Sequence, residues 1–567
     1  MTLEALLERF GRGWRGPALA ALIALLAGLP GLFALPPLDR DESRFAEATG
    51  QMLETGEYVS PKFQDTPRFK KPIGIYWLQA AAVASLGHVE DRQIWAYRIP
   101  SLLGAMLAAA ACAWGAAAFL GAGPSLMAGG MLGASFLLST EASIAATDGV
   151  LAGAVTLSMA ALSRLWFAAS GGAAAGKRVK FLFWAGLVLS ILVKGPIGPM
   201  VVGLTLIALA IWERRARWIA GLGWGWGLIA ILALVGPWAL AITVASDGAF
   251  WGASIGGDLA PKLLRGDEGH GEPPGFYAVL LPLMLFPAAV MLPAGLTAGW
   301  RDRAQPLVKF ALCWLVPSWI VFEAAPTKLI HYPLPLYGAL AWLMAWALPQ
   351  PPGKIVRWSG AALALLAGLA FAAIGPAAVE KVAAGAGMTR AVIGAALYLA
   401  AGVAGGWLML RSRPVAALVA GLVLTPIAHG VLMGVVAPSL KPLWLSNRAA
   451  KALAAAGASP VEGVFPGPVT VAGYEEPSLV FLLGSQTELG DATDAADAIA
   501  EGRPAIVEQR QTAAFQAALA AEGVVARRAG EGAGLDYSNN QHDVLQIFLP
   551  VAAPSQAAPP QDMKPKP

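Results

Sequence analysis

Long apolar stretches recur along most of this chain, and they constrain its fold more than any other feature. About 13 of them approach the roughly 20 residues with which an α-helix crosses a bilayer. Only 13% of the residues are charged, whereas soluble domains carry about 25%. We therefore predict an all-α polytopic membrane protein. The stretches lie at 17–35, 102–120, 126–140, 148–168, 181–193, 196–212, 219–245, 276–297, 305–324, 333–348, 357–375, 390–410 and 415–437.

The charges between these stretches predict the orientation of the chain in the membrane. If the N-terminus lies inside, five of the inner connections are short and basic, which is typical of cytoplasmic loops. These connections read GKRVK, WERRARW, WRDRAQ, GKIVRW and RSRP. The odd number of stretches then places the end of the chain outside.

Hydropathy falls after about residue 440, which predicts a change of domain. In 441–552 short apolar runs alternate with helix-like segments, a pattern that favours a small α/β domain. The polar, proline-rich residues 553–567 are predicted to be a disordered tail. The predicted domains are therefore a membrane domain at 1–440, the α/β domain and the tail.

The first outer connection, at about 36–101, is the longest. Phe45, Ala48, Met52 and Leu53 recur in it with helical spacing, which predicts an amphipathic helix lying on the membrane. The apolar run at 73–86 is too short to span easily and predicts a second interfacial or re-entrant helix.

Residues able to carry chemistry concentrate in the outer connections. Asp39, Asp41 and Glu42 stand beside two arginines directly after the first span, and a helix cap accounts for only one of these acids. A carboxylate at the membrane surface can act as a general base or position an acceptor hydroxyl. Asp148 opens the fourth span, either as a cap or as a functional carboxylate.

Cations accompany these acids. Lys71 precedes Tyr76 and Trp77, and it either snorkels beside an aromatic belt or holds a lipid phosphate. Lys194 lies in a Gly-Pro turn near the outer interface, where a simple turn with a snorkelling lysine is the alternative.

Two further outer segments carry polar residues. The loop at 256–270 holds Arg265 and His270 and is either a connector or a segment that closes over substrate. Another segment places Lys328, His331 and Tyr332 where a span begins. The sequence has no H-E-x-x-H or paired-cysteine pattern, so no metal motif is recognised. A mixture of acids and cations on one face suits an anionic, membrane-bound ligand such as a lipid phosphate.

The segment DRDESRFAEATGQMLETGEYVSPKFQDTPRFKKPIGIYW resembles the first outer loop of GT-C membrane glycosyltransferases. The bacterial aminoarabinose lipid A transferases are the most similar group, and protein O-mannosyltransferases are more distant. The shared pattern is Asp-Glu-x-Arg-[Tyr/Phe]-Ala-Glu, followed by a Lys-Pro ahead of a Tyr-Trp. The resemblance continues at Asp148, at the turn after Lys194, at 328–337 and at 473–481.

The resemblance implies a GT-C fold and a transferase in the bacterial inner membrane, with its active site and C-terminal domain in the periplasm. It implies that a sugar moves, with inversion, from a polyprenyl monophosphate such as undecaprenyl phosphate to a lipid A, LPS-type or other envelope acceptor. We expect a monomer. The implied catalytic residues are Asp41 and Asp148. The implied donor-phosphate or substrate-binding residues are Arg44, Lys71, Tyr76, Lys194, Arg265, His270, Lys328, His331 and Tyr332.

One departure from the family pattern concerns metal binding. Aminoarabinose transferases usually carry an acid just before the Lys-Pro, in a site that contacts a divalent metal. This chain has Lys70 there, which counts against that metal site; a divalent metal stays open as the one cofactor that the resemblance suggests, and no metal ligand is assigned.

Two alternatives to this function stay open. A protein O-glycosyltransferase of the same superfamily would use the same donor chemistry. A flippase or transporter of polyprenyl-linked sugars would account for the many spans, but it predicts polar residues near the membrane midplane and access from both faces.

The basic inner connections generate a test of topology. We expect reporter fusions to place the N-terminus in the cytoplasm and residues 441–551 outside it. A reporter that is active only in secreted compartments and another that is active only in the cytoplasm would be fused at matched positions. Cytoplasmic activity after residue 551 would contradict the orientation and the one-face arrangement of the polar residues.

Overall fold

The apolar stretches form helices because, away from water, a helix pairs its backbone N–H and C=O groups within one segment. The computed structural model describes residues 2–264, 271–460 and 467–551. These residues divide into two units between Leu440 and Lys441. Each unit is described by itself.

The helices of the first unit up to residue 213 are α1 (Leu3–Gly11), α2 (Arg15–Ala34), α3 (Asp41–Thr55), α4 (Gly74–Leu86), α5 (Ile94–Ala116), α6 (Ala122–Gly133), α7 (Phe136–Glu141), α8 (Asp148–Ala169), α9 (Lys177–Lys194) and α10 (Ile197–Glu213). They are followed by α11 (Trp224–Leu234), α12 (Gly236–Ala245), α13 (Ala249–Trp251), α14 (Ala260–Leu264), α15 (Phe276–Met284), α16 (Leu292–Arg301), α17 (Pro306–Ala324), α18 (Tyr337–Ala347), α19 (Lys354–Ala383), α20 (Met388–Leu410), α21 (Pro414–Val431) and α22 (Ala437–Ser439). A π-helical turn, Gly252–Leu259, joins α13 to α14.

Eight helices in the described part of the chain are long and apolar enough to cross a membrane. Phe276–Met284 and Ala288–Arg301, bent by 116°, make a ninth span if they are counted as one. The predicted polytopic all-α architecture is confirmed. The sequence count of about 13 also includes shorter helices such as Ile197–Glu213, because hydropathy does not register where a helix bends or ends.

Large apolar side chains stay exposed along these helices. The exposed fraction is 84% for Ile355, 78% for Val279 and 70% for Leu232. Exposed apolar surface on this scale is typical of contact with lipid, so the chain is a multi-pass membrane protein.

Glycines bring α5 and α8 into close contact. A Cβ atom on Gly104 would lie 2.4 Å from the carbonyl oxygen of Gly149, and one on Gly153 would lie 2.4 Å from the carbonyl oxygen of Gly104. Small residues at such crossings let two membrane helices approach closely. The contact fixes the start of α8, and with it the position of Asp148.

The first outer connection folds into α3, a hairpin of β1 (Lys62–Phe63) and β2 (Thr66–Pro67), and α4. The predicted amphipathic helix is present as α3, with Phe45, Ala48 and Met52 buried. This apolar face packs within the protein, where the ring of Phe45 lies 5.5 Å from that of Tyr76. The apolar face of α3 therefore packs against α4 and is not exposed to lipid.

The second unit is the predicted small α/β domain. Its strands are β3 (Thr470–Ala472), β4 (Glu488–Gly490), β5 (Ala505–Glu508), β6 (Ala526–Asp536) and β7 (Gln541–Pro550). They form a sheet in the order β4-β3-β5-β7-β6, in which β3 pairs in parallel with β4 and β5, and β7 pairs antiparallel with β5 and β6. Its helices are α23 (Leu445–Ala455), α24 (Pro477–Leu483), α25 (Ala492–Ala500) and α26 (Thr512–Glu522). Val471, Ile506 and Ile547 from three adjacent strands lie in its core.

A buried ion pair ties the start of the first outer connection to the membrane helices. Arg98 on α5 donates from Nε and Nη2 to the two carboxylate oxygens of Glu42, at 2.8 and 2.7 Å. Its guanidinium also donates to the carbonyl oxygens of Leu35 and Pro36, at 2.7 and 3.0 Å. Glu42 in turn accepts from the backbone N–H of Ala145, at 2.7 Å. One pair thus joins the end of α2, α3, α5 and the segment before α8.

We expect Arg98→Met to destabilise the protein strongly. The substitution leaves the Glu42 carboxylate buried without its counter-ion, which typically costs about 3–5 kcal/mol. The measurement is the thermal denaturation midpoint in detergent. Arg390→Met, at an exposed position on α20, is the matched control and should shift the midpoint little. Equal midpoints for the two variants would contradict the role assigned to the pair.

Candidate active site

Asp41 begins α3 and presents its carboxylate to solvent, with 72% of the side chain exposed. Arg68, which is buried, donates from Nη2 to Oδ1 of Asp41 at 3.3 Å and from Nε to the hydroxyl of Tyr76 at 3.2 Å. The N-cap residue of α3 is Arg40, and no side-chain hydrogen bond caps this helix. The geometry therefore favours a functional carboxylate over a cap.

The pKa of the Asp41 carboxyl is lowered. The protein around the carboxyl removes part of its hydration, which raises the pKa, but the charge and hydrogen bond of Arg68 lower the pKa by more. The charges of Lys71 and Arg44 act in the same direction as Arg68. Asp41 is consequently ionised at neutral pH.

Lys71 lies just before α4 and is held by an acid from a distant part of the chain. Its Nζ donates to Oδ2 of Asp258 at 2.7 Å, and Nζ of Lys262 donates to Oδ1 of the same carboxylate at 2.8 Å. Two ammonium groups thus converge on one carboxylate in the π-helical turn Gly252–Leu259. Burial lowers the pKa of Lys71, although the negative charge of Asp258 opposes the change.

Asp148 and Lys194 form a second pair. Nζ of Lys194 donates to Oδ1 of Asp148 at 2.6 Å and lies 5.3 Å from the ring centre of Tyr332. Thr147 is the N-cap of α8 and makes no side-chain cap hydrogen bond, so capping does not account for this acid. The predicted turn after Lys194 is present, with Gly195 at a φ of 59° that favours glycine.

His331 lies between two carboxylates. Its Nδ1 is 3.6 Å from Oε1 of Glu141, and its Nε2 is 3.6 Å from Oδ2 of Asp148. Burial lowers the pKa of His331, while the charges of Asp148, Lys194, Asp41 and Lys71 also act on it. The Asp148–Lys194 pair and the charges of Asp41 and Lys71 therefore act on the same imidazole, and we treat them as one site.

Close packing of backbone brings these groups together. A Cβ atom on Gly74 would lie 2.7 Å from the carbonyl oxygen of Leu192, so the start of α4 meets the end of α9. Lys71 and Lys194 lie at these two ends and influence each other electrostatically. Because like charges repel, this arrangement is favourable when an anion lies between them.

The remaining predicted residues differ in position. Arg44 contributes its charge to Asp41, and Tyr76 is fully buried and positions Arg68. Lys328 is also buried, but its ammonium donates to the backbone carbonyl oxygens of Glu272 and Ala325, at 2.8 and 2.7 Å, rather than to the carboxylates. Arg265 and His270 lie outside the described residues.

Sequence reasoning missed three residues of the site, namely Arg68, Asp258 and Glu141. Arg68 stands three positions before Lys71 in a run of cations, and nothing in that run distinguishes the residue that binds Asp41. Asp258 lies in the polar loop at 256–270, where its sequence neighbours do not distinguish it from the other polar residues. Glu141 is a lone acid in an apolar stretch, a signal that alone marks a functional candidate in a membrane protein.

Lys70 occupies the position before the Lys71-Pro72 pair, where the aminoarabinose transferases usually carry a metal-contacting acid. An ammonium group has only donors and cannot ligate a cation. The residues there do not fit the family's metal site, so no step through it is derived.

Comparisons with known proteins agree with the fold. No family model matches this chain. It is 32% identical over 332 residues to the undecaprenyl phosphate-alpha-4-amino-4-deoxy-L-arabinose arabinosyl transferase of Pseudomonas paraeruginosa, covering 56% of this chain and 58% of that protein. It is 28% identical over 375 residues to the enzyme of the same name from Pectobacterium atrosepticum, covering 64% and 65%. The matches span less than two thirds of the length of these curated relatives.

The similarity in three dimensions extends further along the chain. The crystal structure of ArnT from Cupriavidus metallidurans bound to undecaprenyl phosphate matches with a TM-score of 0.75 at 18% identity, covering 93% of this chain and 97% of that one. Its apo structure matches with a TM-score of 0.71. The chain therefore has the GT-C fold of ArnT, and the predicted resemblance of the chain to the aminoarabinose transferases is confirmed.

Proposed function

We propose that this chain is a membrane glycosyltransferase that moves a sugar from a polyprenyl monophosphate to a lipid A, LPS-type or other envelope acceptor. The observation that carries the proposal is the set of ion pairs that hold the charged groups of the site, namely Arg68 with Asp41, Lys71 with Asp258 and Lys194 with Asp148. The curated relatives are named as transferases with an undecaprenyl phosphate-linked aminoarabinose, and the ArnT crystal structure contains undecaprenyl phosphate. Both facts support the same class of donor here.

The reaction is a single displacement at the anomeric carbon of the sugar. An acceptor oxygen forms the new bond to that carbon while the bond to the carrier phosphate oxygen breaks. The electron pair leaves with the phosphate, whose growing negative charge is stabilised by fixed cations at Lys71 and Lys194. Attack from the opposite side inverts the anomeric configuration.

The charge state of Asp41 bears on the acceptor. A carboxylate whose pKa is lowered is a weak proton acceptor at neutral pH. This favours an acceptor that needs no deprotonation, such as a lipid A phosphate, with Asp41 orienting Arg68 beside it. A hydroxyl acceptor, as in a protein O-glycosyltransferase, would require Asp41 to act as the base.

The transporter alternative is less well supported. A flippase needs polar groups near the membrane midplane that are reached from both faces. The charged groups of the site lie instead at helix ends, since Asp41 begins α3, Asp148 begins α8 and Lys194 ends α9.

We also place the site and residues 441–567 on the periplasmic side of the bacterial inner membrane, with the chain acting as a monomer. The sidedness is supported by the five basic connections that alternate with the outer ones along the sequence.

If Lys71 holds the carrier phosphate, donor binding should weaken as the pH rises. Its lowered pKa means that the ammonium charge is lost at a lower pH than that of an exposed lysine. We expect the dissociation constant of undecaprenyl phosphate, measured from neutral to alkaline pH in detergent, to increase through this range. Lys71→Ala should weaken binding about tenfold or more at neutral pH, because a charged hydrogen bond is lost.

Lys71→Arg provides the diagnostic contrast for this pH dependence. A guanidinium stays protonated at alkaline pH, so the dependence should flatten while the charge is kept. Lys62→Arg, at an exposed position in the same connection, should keep the wild-type pH profile. An unchanged profile in Lys71→Arg or Lys71→Ala would remove Lys71 from the phosphate site.

We expect Asp41→Asn to fold and to bind undecaprenyl phosphate, yet to lose most transfer activity. Asparagine caps a helix about as well as aspartate, so a structural role predicts little effect. Loss of a positioned acid–base or orienting carboxylate should lower the rate by about 10²–10⁴-fold. The assay is transfer of aminoarabinose from a synthetic undecaprenyl phosphate-linked donor to lipid A, followed by mass spectrometry.

Asp39→Asn is the matched control for this assay, since the family pattern aligns on Asp41, and it should reduce transfer less. Both variants are compared with the wild type at equal thermal denaturation midpoints. Near wild-type transfer by Asp41→Asn would refute the catalytic assignment.

A further inference from the structure

We propose that Glu141, Asp148 and His331 bind one divalent transition-metal ion such as Mn²⁺ or Zn²⁺. Each residue offers one ligand atom, and these atoms all lie within 4.8 Å of one another. The three come from separate parts of the fold, namely the end of α7, the start of α8 and the segment before α18. The site is distinct from the position of Lys70.

Glu141 points to a ligand because its carboxylate is buried beside an imidazole that it does not reach at hydrogen-bond distance. Its side chain is only 9% exposed, and its contact with Nδ1 of His331 is 3.6 Å, longer than a hydrogen bond. Burying a carboxylate without a partner is costly, and coordination to a cation removes that cost.

The neighbouring charged groups are already paired with other residues. Nζ of Lys194 donates to Oδ1 of Asp148, while Oδ2 accepts from the hydroxyl of Thr147 at 3.0 Å and faces Nε2 of His331 at 3.6 Å. Glu42, the other acid whose charge reaches Glu141, is bound to Arg98. Two carboxylates therefore face one imidazole, and a divalent ion would neutralise both.

The donor set indicates the class of metal. Imidazole nitrogen favours transition metals such as zinc, and carboxylate oxygen suits manganese as well. Three protein ligands leave coordination positions open, as in catalytic metal sites. The role of the ion rests on the proposed function: an open position beside Lys194 would accept a phosphate oxygen of the donor or acceptor.

The test measures metal binding in the absence of any donor, so its outcome is separate from that of the transfer assay. Full-length protein in detergent is stripped with EDTA, dialysed against Mn²⁺ or Zn²⁺, and examined by elemental mass spectrometry and, for Mn²⁺, by electron paramagnetic resonance. We expect one tightly held ion per chain and a higher thermal denaturation midpoint with the ion. Glu141→Gln, which keeps the shape but removes the charge, should weaken binding at least tenfold.

His331→Gln is a second variant that should also lose the ion, in case Glu141→Gln does not fold. Glu57→Gln removes an exposed carboxylate that caps the backbone N–H of Val59, and it should keep wild-type binding. No bound ion in the wild type, or equal binding in the wild type and either site variant, would overturn the proposal. The three residues would then be two carboxylates that interact with a histidine through charge alone.

Discussion

The buried pair between Arg98 and Glu42 is the interaction on which the site depends. Membrane helices can be packed by apolar contacts alone, but the polar chain that leaves α2 has carbonyl groups that need partners in a dry environment. Arg98 satisfies the carbonyls of Leu35 and Pro36 while its guanidinium binds Glu42 through two hydrogen bonds. Glu42 also accepts a hydrogen bond from the backbone N–H of Ala145. Because Glu42 follows Asp41 and Ala145 lies three residues before Asp148, this bond fixes the positions of both aspartates relative to each other.

From that point the site is built of opposite charges supplied by different elements. Arg68 holds Asp41, Asp258 holds Lys71, and Asp148 holds Lys194. Each pair keeps a charged group in place without the need for reorganisation, which is the condition for strong electrostatic stabilisation of a reacting phosphate. Lys71 and Lys194 also repel each other, and their partners Asp258 and Asp148 reduce this repulsion. An anionic ligand between the two lysines would reduce it further.

Several residues of this arrangement were predictable from local pattern. Asp41 and Lys71 stand in one motif-rich connection, and Asp148 and Lys194 are charges in otherwise apolar surroundings, which is rare enough in membrane helices to be informative. The roles of Arg68 and Asp258 were not predictable, because their ion-pair partners are remote in sequence, whereas Glu141 carries a local signal as a lone acid in an apolar stretch. Lys71 and Asp258 are 187 positions apart, and no spacing rule links them.

The sequence by itself determined the class of fold, since apolar stretches of membrane-spanning length have no stable alternative to helices, and the alternating runs after residue 440 form a sheet. It also determined the identity of the main charged residues and the family that the first outer loop resembles. Only the tertiary structure decided which acid meets which base, that α3 packs on α4, and that Lys328 bonds to backbone carbonyls. The physical reason is that helix formation depends on neighbours within a few residues, whereas ion pairing depends on how distant helices pack.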